Sequence, residues 1–271
     1  ANDIKFLETE LDMWFYSILN KGWDKFAKVV QQQHADIVKS LTKQLSGLGV
    51  TEPMLIHVLD KKVNLKEKPP INWTPDEMMR LAVELRKETK PIIIAANRVD
   101  LPGAKANFDR LIAQFPQYSI VACSAESEIA LREASKKELI RYIPGEKSFT
   151  ILKPEVFSPA QLKALEYIQK NVLDVYGGTG VQQVLDTAVF KLLGYIAIYP
   201  GGVNKLGDSQ GRILPDCFLM PKGSTALSFA FRLHSDFGNK FIRAIDVKTK
   251  KTVGKDHLLM DGDVVEIVAD K

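Results

Sequence analysis

Pro91-Ile92-Ile93-Ile94-Ala95-Ala96-Asn97-Arg98-Val99-Asp100 is the stretch whose reading decides the fold. Three consecutive β-branched residues suit a strand buried on both faces, the kind found in parallel sheets covered by helices. In open α/β sheets ligands bind just beyond the carboxyl ends of strands, and Asn97 to Asp100 occupy that point. A second apolar run, closed by Ser124-Ala125-Glu126, follows about one βα unit later.

The chemistry of the two closing segments suits a purine. A carboxylate at Asp100 can accept two hydrogen bonds, from the N1 and exocyclic N2 donors of guanine. Adenine presents an acceptor at N1 and no amino group at C2. A site built on such a bond rejects an analogue lacking it by roughly 10⁴-fold, because its own polar group loses a partner. Asn97 suits the purine N7 and neighbouring loops, and the Arg98 stem can lie along one face of the base. Ser124 can fix the second loop by bonding local backbone, and Ala125 would then present its N–H to the guanine O6. Read alone, Asn-Arg-Val-Asp is also an ordinary turn after a strand. The second motif shifts the balance towards a nucleotide.

No Gly-x₄-Gly-Lys-Ser/Thr run occurs in the 271 residues, so no segment is assigned to the phosphates or to magnesium. Gly177-Gly178-Thr179-Gly180 is the nearest Gly-rich stretch and lacks the Lys. It reads as a helix-to-helix turn: Ser158-Pro159 starts one helix, Gly177 ends it, Thr179 caps the next and Gly194 ends that.

Asn97 to Asp100 and Ser124 to Glu126 resemble the fourth and fifth guanine-recognition motifs of the Obg-like GTPases, in the YchF-related branch of archaea and fungi. Two departures stand out: the usual Lys of the fourth motif is Arg98 here, and YchF proteins that prefer ATP carry Glu where this chain has Asp100. The resemblance covers nearly the whole chain. It implies an α/β plus α plus β-grasp architecture in four parts. These are a helical insertion domain over 1–89, the C-terminal half of a P-loop GTPase domain over 90–147, a helical connector completing that domain over 148–194, and a ubiquitin-like TGS domain over 195–271. It also implies GTP/GDP as ligand and Mg²⁺ in the intact protein. In the related proteins the phosphate loop and hydrolytic residues lie upstream, so no catalytic residue is assigned and the chain alone is expected not to hydrolyse GTP. The chain begins with Ala, and the economical expectation is a fragment. The alternative is a non-catalytic RNA- or protein-binding module with a remnant G domain.

Composition fits an ordinary multidomain chain, with 45% hydrophobic residues and a net charge of +4. No apolar stretch approaches the roughly 20 residues that span a bilayer, and no signal pattern opens the chain, so the default expectation is cytoplasmic, with no membrane partner. Cys123 and Cys217 are expected to be buried reduced thiols. No zinc spacing is present, His234 and His257 lack metal-like partners, and no metal ligand is assigned. The first segment reads as helical. Ile4, Leu7, Leu11, Trp14 and Ile18 form one stripe and Ile37, Leu41, Leu45 and Leu48 another, which predicts an αα-hairpin paired through them. Trp23 and Phe26 are placed at the bend after Gly22. Thr51-Glu52-Pro53 and Thr74-Pro75-Asp76-Glu77 predict helix starts, the latter a capping box.

From about Tyr195 short strands take over: Tyr195 to Tyr199, Cys217 to Met220, Phe241 to Val247 and Val264 to Val268, with one helix from Thr225 to Leu233. Phe229 to Asp236 and Gly262 to Val265 are similar to the TGS domain of Obg-like GTPases and threonyl-tRNA synthetases, which implies a ribosome, rRNA or tRNA partner. Lys240, Arg243, Lys248, Lys250, Lys251 and Lys255 crowd one hairpin, a pattern that suits phosphate contacts and equally suits a solubilising, edge-protecting tip. Oligomeric state stays open.

Overall fold

Helix signals in the first ninety residues resolve into α1 (Asn2–Asn20), α2 (Trp23–Gln32), α3 (Ile37–Leu45), α4 (Glu52–His57) and α5 (Pro75–Thr89). The computed structural model describes residues 2–207 and 210–270. The chain forms two units, 1–120 and 121–271.

In the first unit α5 begins as its sequence predicts. Thr74 Oγ1 accepts the Glu77 N–H at 3.2 Å while the Glu77 carboxylate accepts the Thr74 N–H at 2.8 Å. The second apolar stripe also holds, with Leu41 and Leu45 fully buried. The first stripe does not. Leu7 and Trp14 are 49% and 45% exposed, and Phe15 and Leu19 are the buried residues of α1. The cause is the partner: α1 packs chiefly on α5 and α3 on α4, so no simple hairpin of the two stripes forms. Arg86 of α5 donates from Nε to Asp12 Oδ1 at 2.7 Å, which turns the Asp12–Phe15–Leu19 face inward. Gly22 bends the chain at φ +73°, and beyond it Trp23 stacks on Trp73 at 5.1 Å and meets Phe26 at 5.4 Å. Strand β1 (Ile93–Ala96) and helix α6 (Ala104–Gln114) follow. Strand β2 (Ser119–Ala122) spans the junction of the two units.

The second unit opens with α7 (Ala125–Lys136). A short antiparallel pair then forms, β3 (Ile140–Arg141) with β4 (Thr150–Ile151), too brief to show as a periodic signal. α8 (Pro159–Ile168) starts at a capping box of Ser158 and Gln161, and a wide helical turn over Gln169–Leu173 leads into α9 (Asp174–Tyr176). α10 (Val181–Asp186) runs on through a similar turn, Thr187–Leu192. The remainder is β5 (Tyr195–Pro200), β6 (Phe218–Pro221), α11 (Ala226–Leu233), α12 (Ser235–Asn239), β7 (Phe241–Asp246), β8 (Lys251–Val253) and β9 (Asp263–Ala269). These strands form one sheet in the order β6-β5-β9-β7-β8, with β5 and β9 parallel and the other neighbours antiparallel. Ile198, Phe229 and Ala244 are fully buried between sheet and α11, the arrangement of a β-grasp. Cys123 is buried as expected, but Cys217 is exposed just ahead of β6.

Candidate functional site

The fourth motif is built by a turn directly after β1. Arg98 takes the left-handed conformation, φ +67°, and its N–H donates to Asn97 Oδ1 at 2.9 Å. Leu101 N–H closes the turn on the Arg98 carbonyl at 3.3 Å. Val99 points inward at 5% exposure, which leaves Asn97 and Arg98 exposed and Asp100 half-buried. A cavity of about 470 Å³ opens beside the turn; its wall takes in Ile94, Asn97, Arg98, Asn107 and Phe108, but not Asp100. A non-Gly residue in the left-handed region is strained by roughly 1 kcal/mol or more, and such residues gather at functional sites.

The fifth motif is built by the start of α7. Ser124 is fully buried and is the N-cap: its Oγ accepts the Ser127 N–H at 3.3 Å and donates to Ser127 Oγ at 2.8 Å. The predicted local backbone bonding of Ser124 is therefore present, and Ala125 is the first residue of α7. Ser124 N–H itself donates to the Thr179 carbonyl at 2.8 Å.

Thr179 departs from its expected role. The N-cap of α10 is Gly180, with no side-chain bond, and the Thr179 hydroxyl turns away to donate to Glu128 Oε2 at 2.6 Å. The same oxygen accepts the Tyr142 hydroxyl at 2.7 Å, and Glu128 Oε1 accepts Arg132 Nε at 2.5 Å. Glu128, Thr179 and Tyr142 are all buried. Burial pushes the Glu128 carboxyl up, but the bonds from Thr179, Arg132 and Tyr142 outweigh it and hold it below the usual range. Tyr142 is pushed up to about 12, by burial and then by Glu128. Burial and Glu128 likewise raise the Cys123 thiol, so it stays protonated. Neither Glu128 nor Tyr142 stood out in the sequence, and Thr179 did so only as a helix cap. The available signal was Gly180, at φ +80°, whose Cβ would sit 1.8 Å from the Ala122 carbonyl oxygen.

Residues 95–202 match the family described as Obg-like GTPase YGR210-like, G4 motif-containing domain, and residues 209–269 match the TGS domain. A GTP-binding protein of Methanocaldococcus jannaschii is 44% identical over 99% of this chain and 67% of its own length. The chain belongs to the Obg-like GTPases. A crystal structure of a GTP-binding protein from Pyrococcus horikoshii shares 39% identity and a TM-score of 0.77, across 99% of this Obg-like chain and 71% of that one. A GTP-binding protein of Schizosaccharomyces pombe is 29% identical over 83% of the chain and 56% of its own length. The YchF GTPase of the same yeast shares the fold, with a TM-score of 0.51 at 14% identity over 98% of this chain and 65% of that one.

In this Obg-like chain Lys240, Arg243, Lys248, Lys250, Lys251 and Lys255 are all exposed on or beside β7 and β8. Asp246 is occupied by the turn between those strands, accepting from the Lys248 N–H and the Thr249 hydroxyl. His234 Nδ1 accepts the Asp236 N–H at 3.2 Å, a capping role. Among the described residues no group of three His, Cys, Asp or Glu side chains converges. Among them, too, no helix is long and apolar enough to cross a membrane.

Proposed function

We propose that this chain is the guanine-reading part of an Obg-like GTPase, a nucleotide switch that binds GTP and GDP and hydrolyses GTP in the intact protein, with Mg²⁺ bound outside the residues assigned here. Asp100 pairs with N1 and N2 of guanine, Asn97 serves N7, the Arg98 stem covers one face of the base, and the Ala125 N–H, with Ser124 fixing its turn, meets O6. The single observation that carries the reading is Asn97-Arg98-Val99-Asp100 at the carboxyl end of β1, in a chain of this family. The parts at 1–89, 90–147, 148–194 and 195–271 are assigned as insertion, guanine-reading half, connector and TGS domain.

The chain by itself supplies no phosphate clamp, and phosphoryl transfer depends on positioning and charge neutralisation at the phosphates. It therefore does not turn GTP over alone; magnesium-dependent phosphate release that survives repurification would overturn this. A second reading concerns the partner. Six exposed cations around one hairpin favour an RNA phosphate backbone, ribosomal or transfer, as what the TGS domain meets.

The deciding experiment exchanges the base contact. Asp100→Asn puts a donor where guanine has its amino group and xanthine a carbonyl, so GDP affinity of the full-length protein should fall about 100-fold while XDP gains. An unchanged GDP to XDP preference would reject the base-reading role of Asp100.

A further inference from the structure

We propose that Thr179, anchored by Glu128, is a positioning residue that sets the fifth motif for recognition of the guanine O6; the inference rests on the base-reading role proposed for Ser124-Ala125. A backbone N–H can read a carbonyl oxygen only if the loop carrying it is held to within a few tenths of an ångström. Hydrogen bonds weaken steeply once distance and angle drift. The Ser124-Ala125 loop is held from two sides. From its own helix, the Glu128 N–H donates to the Ser124 carbonyl at 3.1 Å. From 55 residues away, the Thr179 carbonyl accepts the Ser124 N–H at 2.8 Å.

That second hold is itself fixed in place. The Thr179 hydroxyl donates to Glu128 Oε2 at 2.6 Å, and both residues are nearly sealed from solvent, at 1% and 3% exposure. A carboxylate buried to that degree persists only with partners, and it has them in Thr179, Tyr142 and Arg132. The backbone on either side of Thr179 leaves no slack. A Cβ at Gly180 would lie 1.8 Å from the Ala122 carbonyl oxygen and 3.0 Å from Cys123 Cα, so this turn presses on the segment that delivers Ser124. Gly178 and Gly180, at φ +153° and +80°, are the conformations that permit the approach. The Gly-rich turn thus acts as a backstop for the fifth motif rather than as a phosphate loop.

Neither Thr179 nor Glu128 is assigned a ligand contact, so both act through the Ser124-Ala125 backbone. Their loss should therefore injure one atom's recognition selectively. 6-Thio-GDP keeps N1–H and N2 and replaces only O6 with the weaker acceptor sulfur, while XDP keeps O6 and N1–H and changes the base at C2 and N3. In the full-length protein Thr179→Val should weaken GDP about 3- to 10-fold, the worth of one neutral hydrogen bond. It should lower the GDP to 6-thio-GDP preference by the same factor and leave the GDP to XDP preference alone. Thr179→Ser, which keeps the hydroxyl, should restore the wild-type preference, and Glu128→Gln should move it in the same direction as Thr179→Val. Tyr142→Phe, which removes a different donor from Glu128, should lower stability without changing the preference. If Asp100→Asn changes the GDP to XDP preference but Thr179→Val and Glu128→Gln leave the GDP to 6-thio-GDP preference at the wild-type value, the positioning role is wrong and the base-reading role stands. If Asp100→Asn leaves its preference unchanged, the base-reading role fails, and the positioning role with it.

Discussion

Removing the carboxylate of Asp12 should cost the first unit about 3 kcal/mol. The Arg86 side chain is 3% exposed and its Nε donates to Asp12 Oδ1 at 2.7 Å. Burial by itself disfavours the guanidinium charge, and Asp12 more than compensates, holding the group above its usual value. Asp12→Ala leaves that charge buried without its main partner, a change worth about 3–5 kcal/mol in comparable sites. The low end applies because Asp12 is 16% exposed, so water can reach part of the vacated space, and because Tyr118 still bonds Arg86. All three tryptophans, Trp14, Trp23 and Trp73, lie within residues 1–120, so their fluorescence reports that unit even if the whole chain unfolds in steps. With a urea slope of about 2 kcal/mol/M, the midpoint should fall by about 1.5 M. Asp12→Ala with Arg86→Met removes the stranded charge and should recover most of the loss, since apolar replacement of a buried pair is often neutral or better. A shift below about 0.5 M for Asp12→Ala, or a double variant no more stable than the single one, would refute the reasoning.

Arg98→Gly relieves the left-handed backbone at φ +67° and should leave the first unit equally stable or up to about 1 kcal/mol more stable, by the same urea assay; a clear loss would mean that the Arg98 side chain supports the fold. Reversing Lys248, Lys250 and Lys251 to Glu should weaken ribosome or RNA co-sedimentation and flatten its salt dependence, and unchanged binding across a salt series would dismiss the patch. Tyr142, pushed up to about 12 against about 10 when unfolded, contributes stability that is complete below about pH 10 and drains away as pH rises towards 12. Tyr142→Phe should flatten that alkaline limb in chemical denaturation, whereas equal slopes in both proteins would rule the tyrosine out as its source.

What the sequence discloses here is whatever is decided within a few residues. The Thr74–Glu77 capping box is complete in four residues and forms as read; Ser158 starts its helix as read, and the structure adds Gln161 as its reciprocal capping partner. The β-grasp strands are legible because alternation and turn residues recur at short range, including Gly262 at φ +79° before β9. The buried face of α1 is not legible. Phe6, Leu7, Met13 and Trp14 make the helix apolar on nearly every side, and the choice falls to Arg86, 74 residues from Asp12. Glu128 is hidden for a similar reason. A glutamate on an amphipathic helix with Arg132 four residues on reads as a solvated ion pair, and Tyr142 and Thr179, 14 and 51 residues away, join Arg132 in making its burial tolerable.

The two motifs differ in the same respect, and the difference has a functional consequence. The fourth motif is specified where it stands: Asn97 accepts the next residue's N–H, Arg98 supplies the left-handed turn, and Val99 anchors it inward. The fifth borrows half its geometry from Thr179, through a close approach that Gly180 permits and any side chain would block. Damage confined to residues 177–180 should therefore alter how O6 is read while contacts assigned to Asp100 persist.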